Sequence, residues 1–293
     1  MGETIKVCTY NIQNLLDGIN DPYYRTSLKT KRQTEGAARI LSELNADIVF
    51  LQEIENHVIL SRLNKLIEKP YPIAYITQFD DSKKINVALL SRVPIHNVRE
   101  LEFSRWGDPA KPPRGTLRAE VDLGKNRRLL AYGVHLKSNH GSHKSPDEHE
   151  KNIAKRVAAL RIIKDDVDRI QEADPEVNYE SIIVGDFNTD PDVERFASDP
   201  TIDVLESWKD LWRGFPLDER TTLAERQGDP ELAWPSICFD RVVVSPGLTK
   251  APWRADRPHV LQKGVDIANI YVHPGENDIH VSDHYPVYVE LRR

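Results

Sequence analysis

The chain has 293 residues, which is long enough for one large domain or two small ones with a substantial buried core. Its formal net charge of -6 argues against a protein that coats nucleic acid through a broad basic surface, whereas an enzyme with one locally positive cleft fits that charge. No apolar run reaches the roughly 18 residues of a membrane span, and the 2 cysteines, Cys8 and Cys238, are too few for a disulfide framework, so we expect buried free thiols.

The first half of the chain alternates short apolar strands with amphipathic helices. Between Lys31 and Leu44 apolar side chains recur at helical spacing on one face, and the run Ile48–Leu51 is apolar throughout, as a buried strand is. The expected elements are, in chain order, the strand Ile5–Ile12, the helix Lys31–Leu44, the strand Ile48–Leu51, the helix Asn56–Ile67, and the strands Ala74–Thr77, Val87–Ser91, Leu117–Leu123 and Arg128–His135.

The second half begins with a long predicted helix and continues with further strands. The helix covers about Asp147 to Gln171, and the later strands are Ser181–Val184, Phe239–Ser245, Asn269–Val272 and Val287–Leu291. Residues 192–235 are less regular: they form either an insertion that shapes a substrate cleft or a long loop that aromatic residues anchor to the core. Because no repeat or linker interrupts the chain, we expect residues 1–293 to form a single domain, an α/β sandwich of two sheets with outer helices.

Polar residues collect at the ends of several predicted strands. Glu53 ends an apolar strand, Asp186 and Asn188 follow another, and Asp283 and His284 precede a third. A carboxylate beside a buried strand is a poor packing choice, but it fits a rim where loops gather. Several such positions together indicate a shared cleft.

Some of these residues have the chemistry of a site for a hard cation. The carboxylates of Glu53 and Asp283 and the amide oxygen of Asn11 suit Mg²⁺ or Mn²⁺, and no Cys/His spacing predicts zinc. The alternatives are a surface or capping role for the two carboxylates and a turn-forming role for Asn11.

Two histidines are candidates for handling protons and developing charge. These are His135 and His284, and Asp240 is a candidate to orient one of them. Other roles are open as well: His135 could be a core histidine whose hydrogen bonds are satisfied, and Asp240 could pair with its neighbour Arg241.

Three further residues are candidates for binding substrate. Arg114 could grip a phosphate with both guanidinium nitrogens or lie solvated at a strand edge, and Lys137 and Asn139 either contact phosphate or orient their loop. The histidine-rich stretch 139–150 binds a second metal or substrate in one interpretation, and is a polar loop in the other.

Six segments resemble a known group of enzymes. In order along the chain they are similar to the signature blocks of the endonuclease/exonuclease/phosphatase superfamily, which contains deoxyribonuclease I, apurinic endonucleases, neutral sphingomyelinases and inositol polyphosphate phosphatases. The segments are Thr9–Asn14, Leu51–Glu53, Gly133–Ser138, Gly185–Asn188, Phe239–Val244 and Ser282–Pro286. The resemblance spans nearly the whole chain and implies a deoxyribonuclease I-like, four-layered α/β sandwich of two packed mixed β-sheets flanked by helices.

The resemblance also implies a role for each matched position. It implies a metal site for Mg²⁺ or Mn²⁺, with Ca²⁺ as a candidate second ion, formed by Asn11, Glu53 and Asp283, with Glu53 as the principal ligand. It implies the catalytic residues His135, which contacts the scissile phosphate; Asp186 and Asn188, which align the attacking water; and His284, to which Asp240 is hydrogen-bonded. The implied reaction is in-line attack of water or hydroxide on phosphorus.

Two substrate classes are compatible with these motifs. The segment Phe239–Val244 resembles deoxyribonuclease I, and Gln52–Asn56 with His135–Ser138 looks like bacterial nucleases of the superfamily, which favours nucleic acid as the partner and hydrolysis of DNA or RNA phosphodiesters. The alternative is a phosphatase or phosphodiesterase for a small-molecule or lipid head-group phosphate, because Pro235–Arg241 and Ser282–Val287 are also similar to inositol polyphosphate phosphatases. A binding module without activity is disfavoured, because the matched catalytic positions keep their residues.

The sequence also bears on partners and compartment. No apolar hairpin of the kind that sphingomyelinases insert into membranes is evident, so we expect no stable membrane association, and no segment predicts a protein partner. The sequence as it stands predicts a cytoplasmic protein, and a secreted precursor that had lost its signal peptide would read the same.

Overall fold

Two β-sheets form the centre of the protein, and helices lie on their outer faces. The computed structural model describes residues 3–19, 26–78, 85–139, 142, 145–224, 236–269 and 273–293. The strands are β1 (Thr4–Leu15), β2 (Ile48–Ile54), β3 (Ile73–Ile76), β4 (Asn86–Ser91), β5 (Asn97–Glu102), β6 (Gly115–Gly124), β7 (Arg127–His135), β8 (Asn178–Asp186), β9 (Lys209–Asp210), β10 (Asp240–Val244), β11 (Arg254–Ala255), β12 (His259–Val260) and β13 (Val287–Arg292). The helices are α1 (Ser27–Leu44), α2 (His57–Leu66), α3 (Pro146–Ala173) and α4 (Leu217–Arg220).

Each sheet is mixed and is built around one parallel pair of strands. The first sheet has the order β11-β13-β1-β2-β4-β3, with β12 also paired to β13, and β1 runs parallel to β2. The second sheet has the order β5-β6-β7-β8-β10-β9, and β7 runs parallel to β8. Helix α1 connects the first parallel pair and α3 connects the second, as parallel strands require a crossover. The carboxyl ends of each pair therefore lie at one edge of the sheet.

The two sheets pack face to face through an apolar core. Phe50 of β2 shares this core with Ala131 of β7 and Val184 of β8. Gly133 allows the sheets to come close, because a Cβ atom at that position would lie 2.1 Å from Cδ1 of Phe50. The close contact is next to the strand end that carries His135, so packing between the sheets positions a candidate site residue.

Helices complete four layers. Leu41 of α1 and Leu60 of α2 pack with Val49 on the outer face of the first sheet, and Leu160 and Ile163 of α3 pack on the second sheet. This order of layers confirms the predicted α/β sandwich. Among the described residues, no helix is both long enough and apolar enough to cross a membrane.

Most predicted elements are present, and the differences have local causes. Helix α1 begins before Lys31, because the side chain of Thr26 caps it by accepting the N–H of Lys29. Strand β5 has no predicted counterpart, since Leu101 is its only fully buried side chain and an edge strand needs no apolar alternation. The strand predicted at Asn269–Val272 is wrong at its first residue, which ends a 3₁₀ helix, Ile267–Asn269, and residues 270–272 lie outside the described residues.

The irregular segment 192–235 is described up to residue 224. It contains short 3₁₀ turns, β9 and α4. Trp212 is fully buried in the core between the sheets, and its Nε1–H donates to the carbonyl oxygen of Asp240 at 3.2 Å. This contact supports the interpretation that aromatic residues anchor the segment, whereas residues 225–235, including Trp234, lie outside the described residues.

Candidate active site

Residues from both sheets meet where the parallel strands end. The register of β7 and β8 places His135 opposite Asp186, and β10 places Asp240 opposite Asp186 on the other side. Strands β1 and β2 of the first sheet contribute Asn11 and Glu53. Strand ends from both sheets therefore form one polar region at the edge of the sandwich.

A hydrogen-bonded cluster connects the two sheets in this region. Nδ2 of Asn11 lies 3.2 Å from Oε1 of Glu53 and 3.2 Å from Oδ2 of Asp186. Oε2 of Glu53 accepts the backbone N–H of Asn14 at 2.8 Å, and Oδ1 of Asp186 accepts the backbone N–H of Asn188 at 2.9 Å. Each oxygen of the two carboxylates accepts a hydrogen bond, so both side chains are held in one orientation.

The backbone of this cluster departs from ordinary geometry. Glu53, Asn14 and Asn188 have φ angles of 62°, 54° and 53°. The left-handed region is uncommon for residues with a Cβ atom and costs roughly 1–2 kcal/mol for a residue such as Glu53, whereas asparagine adopts it more readily. Asn14 and Asn188 use this conformation to donate their N–H groups to the carboxylates. Strained residues of this kind cluster at active sites, so the geometry supports a functional role here.

His284 and Asp240 form a buried pair. His284 precedes β13 and Asp240 begins β10, and Nδ1 of His284 lies 2.7 Å from Oδ2 of Asp240. Burial by itself lowers the pKa of His284, but the charge and hydrogen bond of Asp240, with Asp283 and Asp186, raise that pKa well above its ordinary value. His284 is therefore positively charged near neutral pH, with Nε2 4.0 Å from Oδ1 of Asp283.

His135 lies in the same region, but its imidazole is uncharged. Its Nε2 is 3.7 Å from Oε1 of Glu53 and 3.6 Å from Oδ2 of Asp186, which is beyond hydrogen-bond distance. Burial, and then the positive charges of Arg114 and His284, lower the pKa of His135 well below its ordinary value. The imidazole is neutral at pH 7, so it can donate a hydrogen bond without a change in charge.

The carboxylates are crowded and buried. Burial and then the charge of Asp283 raise the pKa of Glu53, although hydrogen bonds from Asn11 and Asn14 oppose the change. Burial also raises the pKa of Asp186 to about 7. A divalent cation bound here would stabilise the charged carboxylates, so the electrostatics fit a cation site.

The candidate ligands also fit a hard cation that is bound by only a few protein atoms. Among the described residues, no group of three or more His, Cys, Asp or Glu side chains is arranged to hold a metal. Mg²⁺ is usually bound by one or two carboxylates, with water and phosphate oxygens in the remaining positions. Glu53 and Asp283 are suited to that mode. The amide oxygen of Asn11 accepts the N–H of Gln13 at 3.0 Å, while its Nδ2 faces Glu53, so the metal-ligand role of Asn11 stays a prediction.

Two of the predicted substrate-binding residues place positive charge beside His135. Nη1 of Arg114 donates to the carbonyl oxygens of His135 and Leu136 at 3.0 and 3.2 Å, and Nζ of Lys137 donates to the carbonyl oxygen of Ser138 at 2.8 Å. Both cations are close enough to lower the pKa of His135. Their contact with substrate stays a prediction.

Asn139 has an internal role. Its Nδ2 donates to the carbonyl oxygen of Asn188 at 2.7 Å, and its Oδ1 accepts from Nη1 of Arg156 at 3.1 Å. Both amide atoms are engaged within the protein, so of the two predicted roles the structure favours orientation of the loop over contact with phosphate. In the histidine-rich stretch 139–150, residues 140, 141, 143 and 144 lie outside the described residues.

Arg156 supports the site and is absent from the predicted set. It is fully buried on α3, and its guanidinium donates to the carbonyl oxygen of Lys137 at 3.1 Å and to Oδ2 of Asp199 at 2.6 Å, as well as to Asn139. The sequence contains a signal for this role, because Arg156 lies at helical spacing from buried Ala159 on the same face. A cation on a buried face needs a partner.

Comparisons with known proteins agree with this geometry. The sequence model described as the Endonuclease/Exonuclease/phosphatase family matches residues 8–284. Among solved structures, D. rerio TDP2 complexed with a single-strand DNA product has 19% sequence identity and a TM-score of 0.63, with 99% of each chain covered. An endonuclease/exonuclease/phosphatase family protein from Bacteroides thetaiotaomicron has 18% identity and a TM-score of 0.61, with 100% of this chain and 98% of that chain covered. At these identities the structures show a shared fold, and no curated protein matches the chain in sequence.

Proposed function

Since the chain belongs to the endonuclease/exonuclease/phosphatase family, we propose that it is a divalent-cation-dependent phosphodiesterase that cleaves nucleic acid by in-line attack of water on phosphorus. The observation that supports the proposal is the meeting of a charged His284–Asp240 pair and a neutral His135 with the carboxylates of Glu53 and Asp186. One region thus offers a proton acceptor and donors for negative charge, as phosphoryl transfer needs.

We assign Asp186 as the general base that accepts a proton from the attacking water. Burial raises the pKa of Asp186 above its ordinary value, in the direction that makes this carboxylate a stronger base. Asn188 holds this carboxylate through its backbone N–H, while its side-chain nitrogen donates to the carbonyl oxygen of Leu136 at 3.3 Å. As the water oxygen bonds to phosphorus, Asp186 accepts the proton that the water loses.

We assign the two histidines to stabilising the negative charge that develops on the phosphate. Asp240 keeps His284 positively charged, so Nε2–H of His284 is available to donate to a phosphoryl oxygen or to the departing oxygen. His135 donates as a neutral group. Removal of one preorganised donor of this kind typically costs on the order of 100- to 1000-fold in kcat.

A divalent cation completes the proposed site. Glu53 and Asp283 are the residues that would hold it, with Asn11 as a further candidate. When bound, such a cation polarises a phosphoryl oxygen and stabilises charge on the departing oxygen. Asn11 and the N–H of Asn14 hold the carboxylate of Glu53 in place for this role.

Nucleic acid is the substrate class that we propose. Arg114 and Lys137 lie near His135, where they are suited to phosphates next to the scissile one. The net charge of -6 argues against a broad basic surface, so binding would depend on a local group of cations such as this one. A protein of the same fold, D. rerio TDP2, is known in complex with a single-strand DNA product.

The test is a hydrolysis assay on the purified chain. Single-stranded DNA, supercoiled plasmid, RNA, bis-p-nitrophenyl phosphate and a phosphoinositide are each incubated with Mg²⁺, Mn²⁺ or EDTA. We expect cation-dependent cleavage of nucleic acid, reduced by on the order of 100-fold or more in His284→Ala and Glu53→Gln. The matched controls are His96→Ala and Glu43→Gln, which alter exposed residues with surface ion pairs and should keep full activity.

Each component of the proposal has its own contradicting result. Cleavage of the phosphoinositide alone would show that the substrate is a lipid head-group phosphate and not nucleic acid. Activity that persists in EDTA would exclude a required cation. Full activity of His284→Ala would overturn the assignment of His284 to catalysis.

A further inference from the structure

Thr222 lies between the two chain segments that carry the His284–Asp240 pair. It is fully buried and belongs to the irregular segment 192–235. Its hydroxyl oxygen accepts the backbone N–H groups of Phe239 and Asp240, at 3.0 and 3.1 Å. One side chain therefore holds the backbone at the residue that supplies the carboxylate of the pair.

The main chain of Thr222 also holds the backbone next to His284, the other member of the pair. Its carbonyl oxygen accepts the N–H of Tyr285, next to His284, at 2.7 Å. The neighbouring Leu223 forms antiparallel bridges with Ile237 and with His284. Thr222 thus joins the backbone of Asp240 to the backbone beside His284 through atoms of a single residue.

Other interactions hold this region independently of the Thr222 hydroxyl. The carboxylate of Asp190 accepts hydrogen bonds from Arg220 at 2.5 Å, from Arg241 at 3.0 Å and from the N–H of Cys238 at 3.1 Å. These buried contacts remain when the hydroxyl of Thr222 is removed. The hydroxyl is therefore expected to affect local position more than folding.

We propose that Thr222 is a positioning residue whose hydroxyl oxygen fixes Asp240 at the distance at which its carboxylate holds His284. The inference rests on the proposed function, because it concerns the same pair. Nδ1 of His284 and Oδ2 of Asp240 are 2.7 Å apart and both side chains are buried, so water cannot replace the contact after a shift. Without the hydroxyl oxygen, two buried N–H groups lose their acceptor and the backbone moves to satisfy them.

The test compares two substitutions at this position. Thr222→Val keeps the shape and removes the acceptor, whereas Thr222→Ser keeps the acceptor. Thr249→Val is the matched control, because the hydroxyl of Thr249 makes an exposed, local hydrogen bond to Pro246. In Thr222→Val we expect kcat to fall on the order of 10- to 100-fold with little change in KM, since a misplacement of about 1 Å costs on the order of 100-fold. Thr222→Ser and Thr249→Val should keep nearly full activity.

A double-mutant cycle separates positioning from a general structural role. If the hydroxyl acts through the pair, Thr222→Val causes no further loss of kcat in a His284→Ala background. Equal proportional losses in both backgrounds would overturn the proposal. Thermal unfolding of each variant checks that it is folded, and Thr222→Cys, which has a weak acceptor, replaces Thr222→Val in the cycle if the valine variant does not fold.

A second readout needs no substrate. The low-field ¹H NMR spectrum of the resting protein should contain the hydrogen-bonded Nδ1–H of His284, identified by its absence in His284→Ala. This resonance should shift or disappear in Thr222→Val and persist in Thr222→Ser. An unchanged resonance in Thr222→Val would overturn the inference, even if no substrate is found. If no tested substrate is hydrolysed while the resonance responds as expected, the proposed function fails and the positioning role of Thr222 stands.

Discussion

Asp240→Asn replaces the carboxylate beside His284 by an amide of nearly the same shape. In the part of the chain that the structure describes, Oδ2 of Asp240 is bonded to His284 and Oδ1 has no hydrogen-bond partner. The asparagine amide has two possible orientations in this space. Each of them impairs the pair for a different reason.

The two orientations have separable costs. If the amide oxygen faces Nδ1 of His284, the NH₂ group takes the place of Oδ1, where a buried donor without a partner costs about 1–3 kcal/mol. If the NH₂ group faces Nδ1, that nitrogen must accept, so His284 is a neutral imidazole with its proton on Nε2. In both cases the charge of Asp240 is lost, and the lowering of the pKa of His284 by burial is no longer opposed by its nearest carboxylate.

We therefore expect kcat to fall by on the order of 10²- to 10⁴-fold, the range for a positioned acid–base group, or about 3–5 kcal/mol of barrier. KM should change little, because Asp240 is fully buried and does not reach substrate. The assay is steady-state hydrolysis of bis-p-nitrophenyl phosphate at saturating Mg²⁺, with thermal unfolding as a check and Asp203→Asn, an exposed aspartate, as the control. A kcat within about twofold of the unmodified chain would refute the charge assignment.

Three further predictions concern packing, pH and the cation. Gly133→Ala places a Cβ 2.1 Å from Cδ1 and 2.5 Å from Cγ of Phe50 and should lower the free energy of unfolding by about 1–3 kcal/mol; urea titration should show a smaller loss in a Phe50→Ala background, which removes both atoms, and an equal loss would contradict the clash. Asp199→Asn leaves buried Arg156 without its carboxylate, which should cost about 3 kcal/mol at pH 7. Burial by itself would raise the pKa of Asp199, but Arg156 holds that pKa below its ordinary value. The ion pair therefore stabilises the protein fully above about pH 4. The free energies of unfolding of the two proteins should converge as the pH falls below that value. Glu53→Gln should weaken binding of Mn²⁺ by at least on the order of 10-fold in calorimetry on protein that thermal unfolding shows to be folded, and unchanged affinity would exclude Glu53 as a ligand.

The sequence predicted the layers because hydrophobic periodicity reports directly on buried faces. The apolar spacing between Lys31 and Leu44 corresponds to the face of α1 that packs on the first sheet. Polar residues at strand ends, such as Glu53 and Asp186, also predicted the edge at which the candidate site lies. Strand β5 was not predicted, because an exposed edge strand has no such periodicity.

The parts that could not be predicted depend on contacts between distant residues. Nothing in the local sequence of Asn139 shows that its amide lies between Asn188 and Arg156, and the motif could not distinguish that role from contact with phosphate. The role that we propose for Thr222 could not be predicted either, because it depends on backbone groups that are adjacent only in the folded chain. Sequence patterns identify which residues have suitable chemistry, and the tertiary contacts determine how each is used.

The contrast between the two histidines shows why this distinction matters for mechanism. Both are buried, and burial lowers the pKa of both. At His284 the carboxylate of Asp240, 2.7 Å from Nδ1, reverses that effect, whereas Nδ1 of His135 has no hydrogen-bond partner among the described residues. The same side chain is therefore a charged donor at one position and a neutral donor at the other. Because the charge and hydrogen bond of Asp240 are the largest of the effects that raise the pKa of His284, interactions that hold Asp240 in place are expected to influence the proposed reaction.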